Sequence, residues 1–270
     1  MSDICFGFVI LVYRNSNDIK ELVDSIRKEY RQYTCHILIV NSFYDEDTNK
    51  VIKSIASELQ CDYLCIENKG YSYGNNRGIE YILKHYSCDY IIVANPDTCV
   101  VRNSFSYENY LQKEVVIAPC IKNLNGKQQN PYWVINNPFA EFLIYMGHKK
   151  KSTITLYFGI ALNKIIREIF HLKRHYRSEK VFAAHGSYVI FSREVLSKIG
   201  LPYDENMFLF AEENLLAHKL LEKNVPVMYT DDIGIIHKED GSLKLSKIDE
   251  NQELTKSIIY YYEKIKRING

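Results

Sequence analysis

The sequence predicts an α/β fold in which a mostly parallel central sheet is flanked by helices. Short, continuously apolar runs alternate with longer segments whose apolar residues recur at helical spacing. Continuously apolar strands separated by amphipathic helices are typical of a parallel sheet that is covered on both faces. The length of 270 residues suits one large domain that can bury a complete core.

Strands and helices alternate in the first third of the chain. The apolar runs predict strands over residues 4–13, 36–40, 62–66 and 90–94. Helical spacing predicts helices over residues 19–30, 45–59 and 74–85. Polar clusters follow these strands, and ligands of such sheets bind at the carboxyl ends of the strands.

The middle of the chain, from about residue 121 to residue 180, has a different pattern. A predicted loop over residues 122–138 is followed by the basic run Lys149-Lys150-Lys151 and by a helical pattern over residues 154–172. Beyond it, the sequence predicts a strand, a helix, a strand and a helix, over residues 181–191, 212–222, 234–236 and 254–268.

The composition disfavours several classes of protein. Lys and Arg number 34 and Asp and Glu 33, so the balanced charge gives no reason to expect a nucleic-acid partner. The seven cysteines fall mostly in strand-like runs, which favours reduced thiols over disulfides. No run reaches the about 18 apolar residues of a membrane span, and the first apolar run lacks the flanks of a signal peptide. We therefore expect a cytoplasmic protein, soluble or peripheral on the inner face of the cell membrane.

The first motif is the glycine-rich segment of residues 68–78, which follows the third strand and runs into a helix. Glycines let the backbone approach a ligand closely, and a helix N-terminus beside Arg77 suits a phosphate group. The spacing is not the dinucleotide fingerprint, and residues 13–17 contain no glycine, which disfavours nucleotidyltransferases and Rossmann oxidoreductases. An ordinary glycine-rich turn before a helix explains the segment equally well.

The second motif is the turn Asn95-Pro96-Asp97-Thr98, directly after the fourth strand. A carboxylate held there by a rigid proline turn can bind Mg²⁺ or Mn²⁺ through one oxygen, while a diphosphate supplies further ligands. Taken alone, the pattern is more typical of an ordinary proline turn.

Two further motifs lie in the second half of the chain. Glu212 and Glu213 open a predicted helix, so that one acid can face a pocket while the other caps the helix. His237 follows a predicted strand, with Asp240-Gly241-Ser242 just beyond it. Acids are favourable at any helix start and a lone histidine is more often structural, so neither motif identifies a site by itself.

In this order, the motifs together resemble those of the family 2 glycosyltransferases of the GT-A fold. The order begins with Tyr13-Arg14-Asn15 and Asn41-Ser42 and continues with the four motifs above. The chain looks nearest to bacterial rhamnosyltransferase-like and galactofuranosyltransferase-like members, over residues 4–119 and 183–242. The resemblance implies a GT-A, Rossmann-like sheet with an acceptor-side helical insertion and a C-terminal helix.

The resemblance implies a reaction centre. Asp97 matches a ligand of a divalent cation, Mn²⁺ or Mg²⁺, and His237 matches a histidine that approaches the metal or the diphosphate. Asn95 is implied to contact the sugar or ribose. Glu213 matches the general base that takes the proton of the acceptor hydroxyl as its oxygen attacks the anomeric carbon.

The resemblance also implies contacts with the nucleotide sugar, a UDP-sugar or dTDP-sugar. Asn41 matches a position at which an aspartate commonly reads the pyrimidine edge. The other implied nucleotide-sugar contacts are Tyr13, Arg14, Asn68, Gly74, Asn76 and Arg77.

The implied function is an inverting glycosyltransferase that moves a sugar from a nucleotide-diphosphate donor to an acceptor. The acceptor is expected to be a glycan or lipid-linked saccharide in bacterial surface polysaccharide synthesis, such as that of a capsule. Residues 1–120 are expected to bind the donor and residues 121–245 the acceptor, with residues 246–270 as the C-terminal helix of one continuous domain.

Four positions depart from the family pattern. Asn replaces Asp at Asn41 and Asn95, Glu replaces Asp at Glu213, and Leu215 occupies a position where an acid is common. An asparagine keeps hydrogen bonding but gives up the charge that a metal or base contact uses. The alternative function is therefore a degenerate, non-catalytic protein that binds a sugar nucleotide or a partner.

The middle segment allows two interpretations. Lys149-Lys150-Lys151 precedes a helix whose apolar residues alternate with Lys164, Arg167, Glu168, Lys173 and Arg174. A basic amphipathic helix of this kind can lie in the interface of an anionic membrane. It can equally pack its apolar stripe on the catalytic domain or on the second subunit of a homodimer.

Overall fold

The structure, a computed structural model, describes residues 4–173, 178–239 and 249–268. In the described residues, nine strands form one sheet. In chain order they are β1 (Cys5–Val12), β2 (Thr34–Ser42), β3 (Asp62–Ile66), β4 (Tyr90–Ala94), β5 (Thr98–Asn103), β6 (Val116–Asn123), β7 (Ser178–Val181), β8 (Tyr188–Ser192) and β9 (Val227–His237). Their order across the sheet is β3-β2-β1-β4-β8-β6-β9-β5, and β7 also pairs with β9.

Helices cover both faces of this sheet, and the predicted α/β fold is confirmed. In chain order they are α1 (Ile19–Glu29), α2 (Glu46–Glu58), α3 (Tyr71–His85), α4 (Pro138–Lys149), α5 (Thr153–Lys173), α6 (Arg193–Ile199), α7 (Glu212–Glu222) and α8 (Glu250–Ile268). Helices α1 and α2 pack on one face, whereas α3, α6 and α7 pack on the other.

Strand β1 shows why the apolar runs are continuous. Phe6, Phe8 and Ile10 belong to the core beneath α1 and α2, whereas Val9 belongs to the core beneath α3. Successive side chains of a strand point to opposite faces, so a strand covered on both faces needs apolar residues at every position. All four of these side chains are fully buried.

The predicted parallel pairing describes the first half of the sheet. Strand β1 is parallel to β2 and β4, and β2 is parallel to β3. Beyond β4 the sheet is mixed, because β8 runs antiparallel to β4 and β6, and β9 runs parallel to β6 but antiparallel to β5 and β7. The carboxyl ends of β1, β2, β4 and β9 therefore lie along one edge of the sheet.

Helix α3 lies close to the sheet because two of its residues are glycines. A Cβ added to Gly74 would lie 2.5 Å from Leu11 Cδ1, and one added to Gly78 would lie 2.2 Å from Val9 Cγ1. Leu11 thus fills the space at Gly74, where the sequence predicts a close approach of the nucleotide sugar. In the structure Gly74 serves helix-to-sheet packing.

Two packed helices, α4 and α5, occupy much of the middle segment. Helix α4 begins after Asn137, whose Oδ1 accepts a hydrogen bond from the Ala140 N–H over 3.1 Å. The two helices approach closely because Gly147 of α4 contacts Leu156 of α5. Helix α4 also packs against α8.

Several predicted elements need correction. The single strand predicted over residues 181–191 is wrong, because β7 ends at Val181 and β8 begins only at Tyr188. The sequence did not predict β5, β6, α4 or α6. The predicted Asp240-Gly241-Ser242 motif and Arg174 lie outside the described residues. Within the described ranges, no helix is both long and apolar enough to cross a membrane.

Candidate active site

The two predicted metal ligands, Asp97 and His237, lie side by side at the edge of the sheet. Asp97 precedes β5 and His237 ends β9, and the antiparallel register of these strands pairs Thr98 with His237. Asp97 Oδ2 lies 3.5 Å from His237 Nε2, and both residues are buried. The sheet thus brings together two residues that are far apart in the sequence.

Gln129 and Glu239 orient the His237 ring. Gln129 Nε2 donates a hydrogen bond to Glu239 Oε1 over 2.6 Å, which directs Gln129 Oε1 away from the carboxylate. That oxygen lies 2.9 Å from His237 Nδ1. An amide oxygen only accepts, so in the neutral ring Nδ1 carries the proton and Nε2 presents its lone pair to Asp97. Asn123 Nδ2 donates to the other Glu239 oxygen over 3.1 Å.

The Asp97–His237 pair fits a divalent cation. A carboxylate oxygen and an imidazole lone pair that face each other at 3.5 Å repel unless a proton or a cation lies between them. Carboxylates are preferred ligands of Mg²⁺ and Mn²⁺, and a metal-binding histidine usually donates from its other nitrogen to an outer partner. Among the described residues, no group of three or more His, Cys, Asp and Glu side chains could hold a metal. Further ligands would therefore come from a diphosphate and water.

His185 completes this cluster, and sequence reasoning missed it. Its ring centroid lies 5.6 Å from that of His237. Asn130 Oδ1 accepts a hydrogen bond from the His185 backbone N–H over 2.9 Å, and Ser187 Oγ lies 2.9 Å from His185 Nδ1. Burial, together with the neighbouring His237 and Arg167 side chains, lowers the pKa of His185 to about 3. The ring is therefore neutral at physiological pH and adds no positive charge beside the metal ligands.

Glu213 lies at the start of α7, next to the loop that leads into β8. Its Oε1 accepts a hydrogen bond from the Gly186 N–H over 3.2 Å. A Cβ added to Gly186 would lie 2.9 Å from Glu213 Oε1, so the glycine lets the carboxylate approach. The next residue, Ser187, accepts a hydrogen bond from the Asn95 N–H over 2.8 Å. Residues 185–187 therefore hold Glu213 on one side and the Asn-Pro-Asp turn on the other.

Glu212 and Glu213 form a largely buried acidic pair at the start of α7. Burial raises the pKa of both carboxyl groups, and the charge of Glu213 raises that of Glu212 further. Two neighbouring buried carboxylates resist ionising together, so the pair holds one proton over part of the pH range. Glu212 is buried and its Oε2 has no hydrogen-bond partner among the described residues, whereas Glu213 is partly exposed. Of the two acids, only Glu213 therefore has appreciable exposed surface.

The loop before α7 has a strained backbone and rests on the glycine-rich segment. Phe210 and Ala211 adopt left-handed conformations, with φ of 71° and 60°. Such conformations cost non-glycine residues about 1–2 kcal/mol each, and strain of this kind clusters at functional sites. Gly70, at φ 97°, contacts the backbone of Phe208, and the Tyr71 N–H donates to Phe208 O over 2.7 Å. The glycine-rich segment thereby positions the loop that carries the acidic pair.

Asn76 and Arg77 have partners inside the protein. Asn76 Nδ2 donates to Tyr203 O and to Glu205 Oε1, and the Tyr203 N–H donates back to Asn76 Oδ1. Arg77 forms ion pairs of 2.6 Å with Glu205 and 3.0 Å with Glu80. Both side chains tie α3 to the loop after α6. In this conformation they are not free to bind a diphosphate.

The ends of β1 and β2 carry an aromatic patch of Tyr13, Arg14 and Tyr44. The Tyr13 and Tyr44 rings meet edge to face at 5.9 Å, and the Arg14 guanidinium lies 4.0 Å from the Tyr44 centroid. Asn41, at the end of β2, has no exposed surface, and its Nδ2 donates to Tyr63 OH over 2.9 Å. Asn41 therefore supports the strand ends in this conformation, and its Oδ1 has no hydrogen-bond partner among the described residues.

Asn95 and Asn68 remain accessible. Asn95 is half-buried beside Asp97, and its side chain makes no hydrogen bond within the described part of the chain. Asn68 is also half-buried, and its Oδ1 accepts a hydrogen bond from the Gly70 N–H over 3.2 Å. Of the two, only Asn95 adjoins the predicted metal ligands.

Leu215 belongs to a small apolar core, which explains why no acid stands at this position. It is buried with Met207 against Ile258 and Tyr261 of α8. A cavity of about 650 Å³ lies nearby, between the loop after α6 and helices α7 and α8. Its lining contains none of the residues Asp97, Glu213 and His237, so it is separate from the candidate reaction centre.

Helix α5 also borders the site. Arg167 of α5 influences the pKa of both His185 and Tyr132. Asn163, one turn earlier, donates from Nδ2 to Tyr132 O over 3.3 Å. The Tyr132 ring lies 5.9 Å from the His185 ring. The helical pattern predicted this helix, but only the tertiary fold shows that Asn163 and Arg167 face the site.

Comparison with solved structures identifies the fold. The chain superposes on the crystal structure of GalNAc-T7 with UDP, GalNAc and Mn²⁺, with a TM-score of 0.60 and 13% identity, covering 88% of this chain and 44% of that one. It also superposes on S. aureus TarS, with a TM-score of 0.53 and 12% identity, covering 99% of this chain and 45% of that one. The fold is that of the GT-A glycosyltransferases. The chain spans less than half the length of either protein.

The sequence itself gives no such match. No protein-family model matches it, and no curated protein is similar enough to count as a match. Within the GT-A fold, the structure gathers Asp97, His237, Asn95 and Glu213 around residues 185–187. Gly74, Asn76 and Arg77 instead hold α3 against the sheet and the neighbouring loop.

Proposed function

We propose that this protein is an inverting glycosyltransferase that moves a sugar from a nucleoside-diphosphate donor to a hydroxyl group of an acceptor. The Asp97–His237 pair carries the proposal, because it lies at the edge of a GT-A sheet and shares the loop of residues 185–187 with Glu213. A protein of the same fold crystallises with UDP and Mn²⁺, which is the ligand set that this edge would accept.

On the donor side, Asp97 Oδ2 and His237 Nε2 would hold Mn²⁺ or Mg²⁺, which supplies positive charge beside the departing diphosphate. Gln129 keeps the His237 lone pair directed toward this position. Asn95 offers an amide next to Asp97 for a sugar or ribose hydroxyl. Only two protein ligands are needed, because hard cations of this kind usually retain waters and bind substrate phosphates directly.

The base of a UDP-sugar or dTDP-sugar would lie on the aromatic patch. Tyr13 and Tyr44 offer ring faces and edges for a pyrimidine, and Arg14 offers positive charge. The patch lies at the ends of β1 and β2, along the same edge as Asp97. Arg167 would add a further positive charge near the donor from α5.

On the acceptor side, Glu213 would act as the general base. It takes the proton of the acceptor hydroxyl as that oxygen forms its bond to the anomeric carbon. The bond from this carbon to the diphosphate oxygen breaks, and the nucleoside diphosphate leaves with the electron pair. A pKa raised by burial makes Glu213 a stronger proton acceptor than an exposed glutamate. From the motif resemblance, the acceptor would be a glycan or lipid-linked saccharide of a bacterial surface polysaccharide.

A second candidate function is binding of a sugar nucleotide or a partner without transfer. The internal pairing of Asn76 and Arg77 and the burial of Asn41 favour it, because they leave fewer side chains for the nucleotide. Both functions predict that a donor raises the melting temperature, since it binds only the folded state.

Turnover distinguishes the two functions. The protein is incubated with UDP-, dTDP- and GDP-sugars in the presence of Mn²⁺, and the released nucleoside diphosphate is measured. A transferase releases it, at least by slow transfer to water, and Asp97→Asn abolishes the release. Thermal stabilisation by a donor without any release would support the non-catalytic alternative.

A further inference from the structure

Helix α5 exposes an apolar stripe along its outer side. Large apolar side chains recur along one side at spacings of one to seven residues, each with between 44% and 84% of its surface exposed: Ile154, Tyr157, Phe158, Ile165, Ile169 and Leu172. At 3.6 residues per turn these positions fall on one side of the helix. Folded proteins rarely expose so many contiguous apolar side chains unless they contact a partner or a membrane.

The opposite side of α5 already packs against the rest of the protein. The stripe is therefore not the side of the helix that faces the core. Asn163 contacts Tyr132, Phe170 meets the Tyr229 ring at 5.8 Å, and Gly159 contacts Ile144 of α4. One predicted alternative was that the whole apolar pattern packs on the catalytic domain. For the outward-facing residues of the stripe, this prediction is wrong. Within the described residues, nothing covers these side chains.

The charged residues beside the stripe indicate what binds to it. Lys150 and Lys151 are exposed at the turn that leads into α5, and Lys164 is exposed along the edge of the stripe, with Glu168 as the acid beside it. Lysines that border an apolar stripe match the phosphate groups and acyl chains of an anionic bilayer. The same stripe on a second copy would offer these three lysines only Glu168 as a counter-charge.

We propose that the outer face of α5 docks on the surface of an anionic membrane, with the helix lying in the interface. The same helix turns Asn163 and Arg167 toward the candidate reaction centre. Docking would therefore place the centre next to the bilayer, where a lipid-linked acceptor is held. This last step rests on the proposed function, whereas the docking does not.

Flotation with vesicles tests the docking. The probe is vesicles of phosphatidylcholine and phosphatidylglycerol in equal parts, at low and high salt. Phe158→Gln with Ile165→Gln is expected to weaken binding by about tenfold or more, because two apolar side chains no longer enter the interface. Lys150→Gln with Lys151→Gln is expected to weaken it by about fivefold for each lysine, and more salt is expected to weaken it for the unaltered protein.

The matched control is Val51→Gln with Lys53→Gln, which removes one exposed apolar residue and one exposed lysine from α2. It is expected to float like the unaltered protein. Thermal melts check that each variant is folded.

Protein that stays in the soluble fraction at low salt, or floats equally well in every variant, overturns the proposal. A dimer in solution that dissociates in the Phe158 and Ile165 variant would show that a second copy covers the stripe. Release of nucleoside diphosphate without vesicles reports separately on the proposed function. Vesicle binding without any turnover would leave the docking intact and reject the transferase.

Discussion

Replacing Gln129 by Leu removes the acceptor that holds the Nδ1 proton of His237. The change keeps the size of the side chain but breaks the hydrogen bonds of 2.9 Å to His237 and 2.6 Å to Glu239. His237 can then place its proton on Nε2, the atom that faces Asp97. A protonated Nε2 cannot bind a metal ion.

The expected loss follows from this arrangement. Outer partners of metal-binding histidines typically contribute about 10–100-fold in metal affinity. That range corresponds to about 1.4–2.8 kcal/mol. We expect the upper part of the range for Gln129→Leu, because His237 is buried and water cannot easily replace the lost acceptor.

The assay is titration calorimetry with Mn²⁺ in the presence of a nucleoside diphosphate. Gln128→Leu is the matched control, because Gln128 contacts Cys120 Sγ and takes no part in orienting His237. Nitrogen-15 NMR of the histidines without metal reports the tautomer directly. If Gln129→Leu binds Mn²⁺ as tightly as the unaltered protein and His237 keeps its Nδ1 proton, Gln129 does not orient the ring.

Three further predictions concern the acidic pair and the loop that carries it. Glu213→Gln is expected to lower transfer by about 10²–10⁴-fold while calorimetry shows nearly unchanged donor binding; a near-normal rate would make Glu212 the candidate base. In the folded protein the pKa of the Glu212–Glu213 pair is raised. The pair therefore stabilises the fold fully below the ordinary glutamate pKa of 4.5, and this stabilisation is lost as pH rises through the raised pKa. The melting temperature of the unaltered protein should therefore fall as pH rises over this range, and that of Glu212→Gln should fall less. An equal dependence of melting temperature on pH in both proteins would contradict the pairing. Gly70→Ala is expected to cost about 1–3 kcal/mol in backbone strain. Its Cβ would also lie 2.3 Å from Phe208 O, so both thermal stability and transfer should drop; an unchanged melting curve would refute the contact.

The elements of the first third, up to β4, were predictable because local signals agree there. Strands β3 and β4 have the predicted bounds, since each is a short apolar run between turn residues. Strand β6 and its antiparallel partner β8 were harder, because their pairing joins distant parts of the chain. Helix α4 was missed because its start depends on the Asn137 cap, which falls in a stretch that looks like a loop.

In the candidate site, too, only the residues with a local sequence signal could be predicted. Asp97, His237 and Glu213 follow or begin regular elements, so their positions could be predicted from the order of strands and helices. The internal roles of Asn76 and Arg77 could not, because their partner Glu205 lies more than a hundred residues away in sequence. His185 was missed because a histidine in a loop has no local signature; only its contacts with the neighbouring strand ends reveal it.

The most direct measurement is calorimetric titration of UDP, dTDP and GDP into the protein with and without Mn²⁺. We predict binding of at least one nucleoside diphosphate that depends on Mn²⁺ and is lost in Asp97→Ala, because Asp97 is the one carboxylate of the Asn-Pro-Asp turn. Glu213→Gln, which alters the acceptor side, should bind like the unaltered protein. Two results would contradict the proposed donor site. One is binding that does not depend on Mn²⁺ and is unchanged in both Asp97→Ala and His237→Ala, and the other is no binding of any of the three nucleotides.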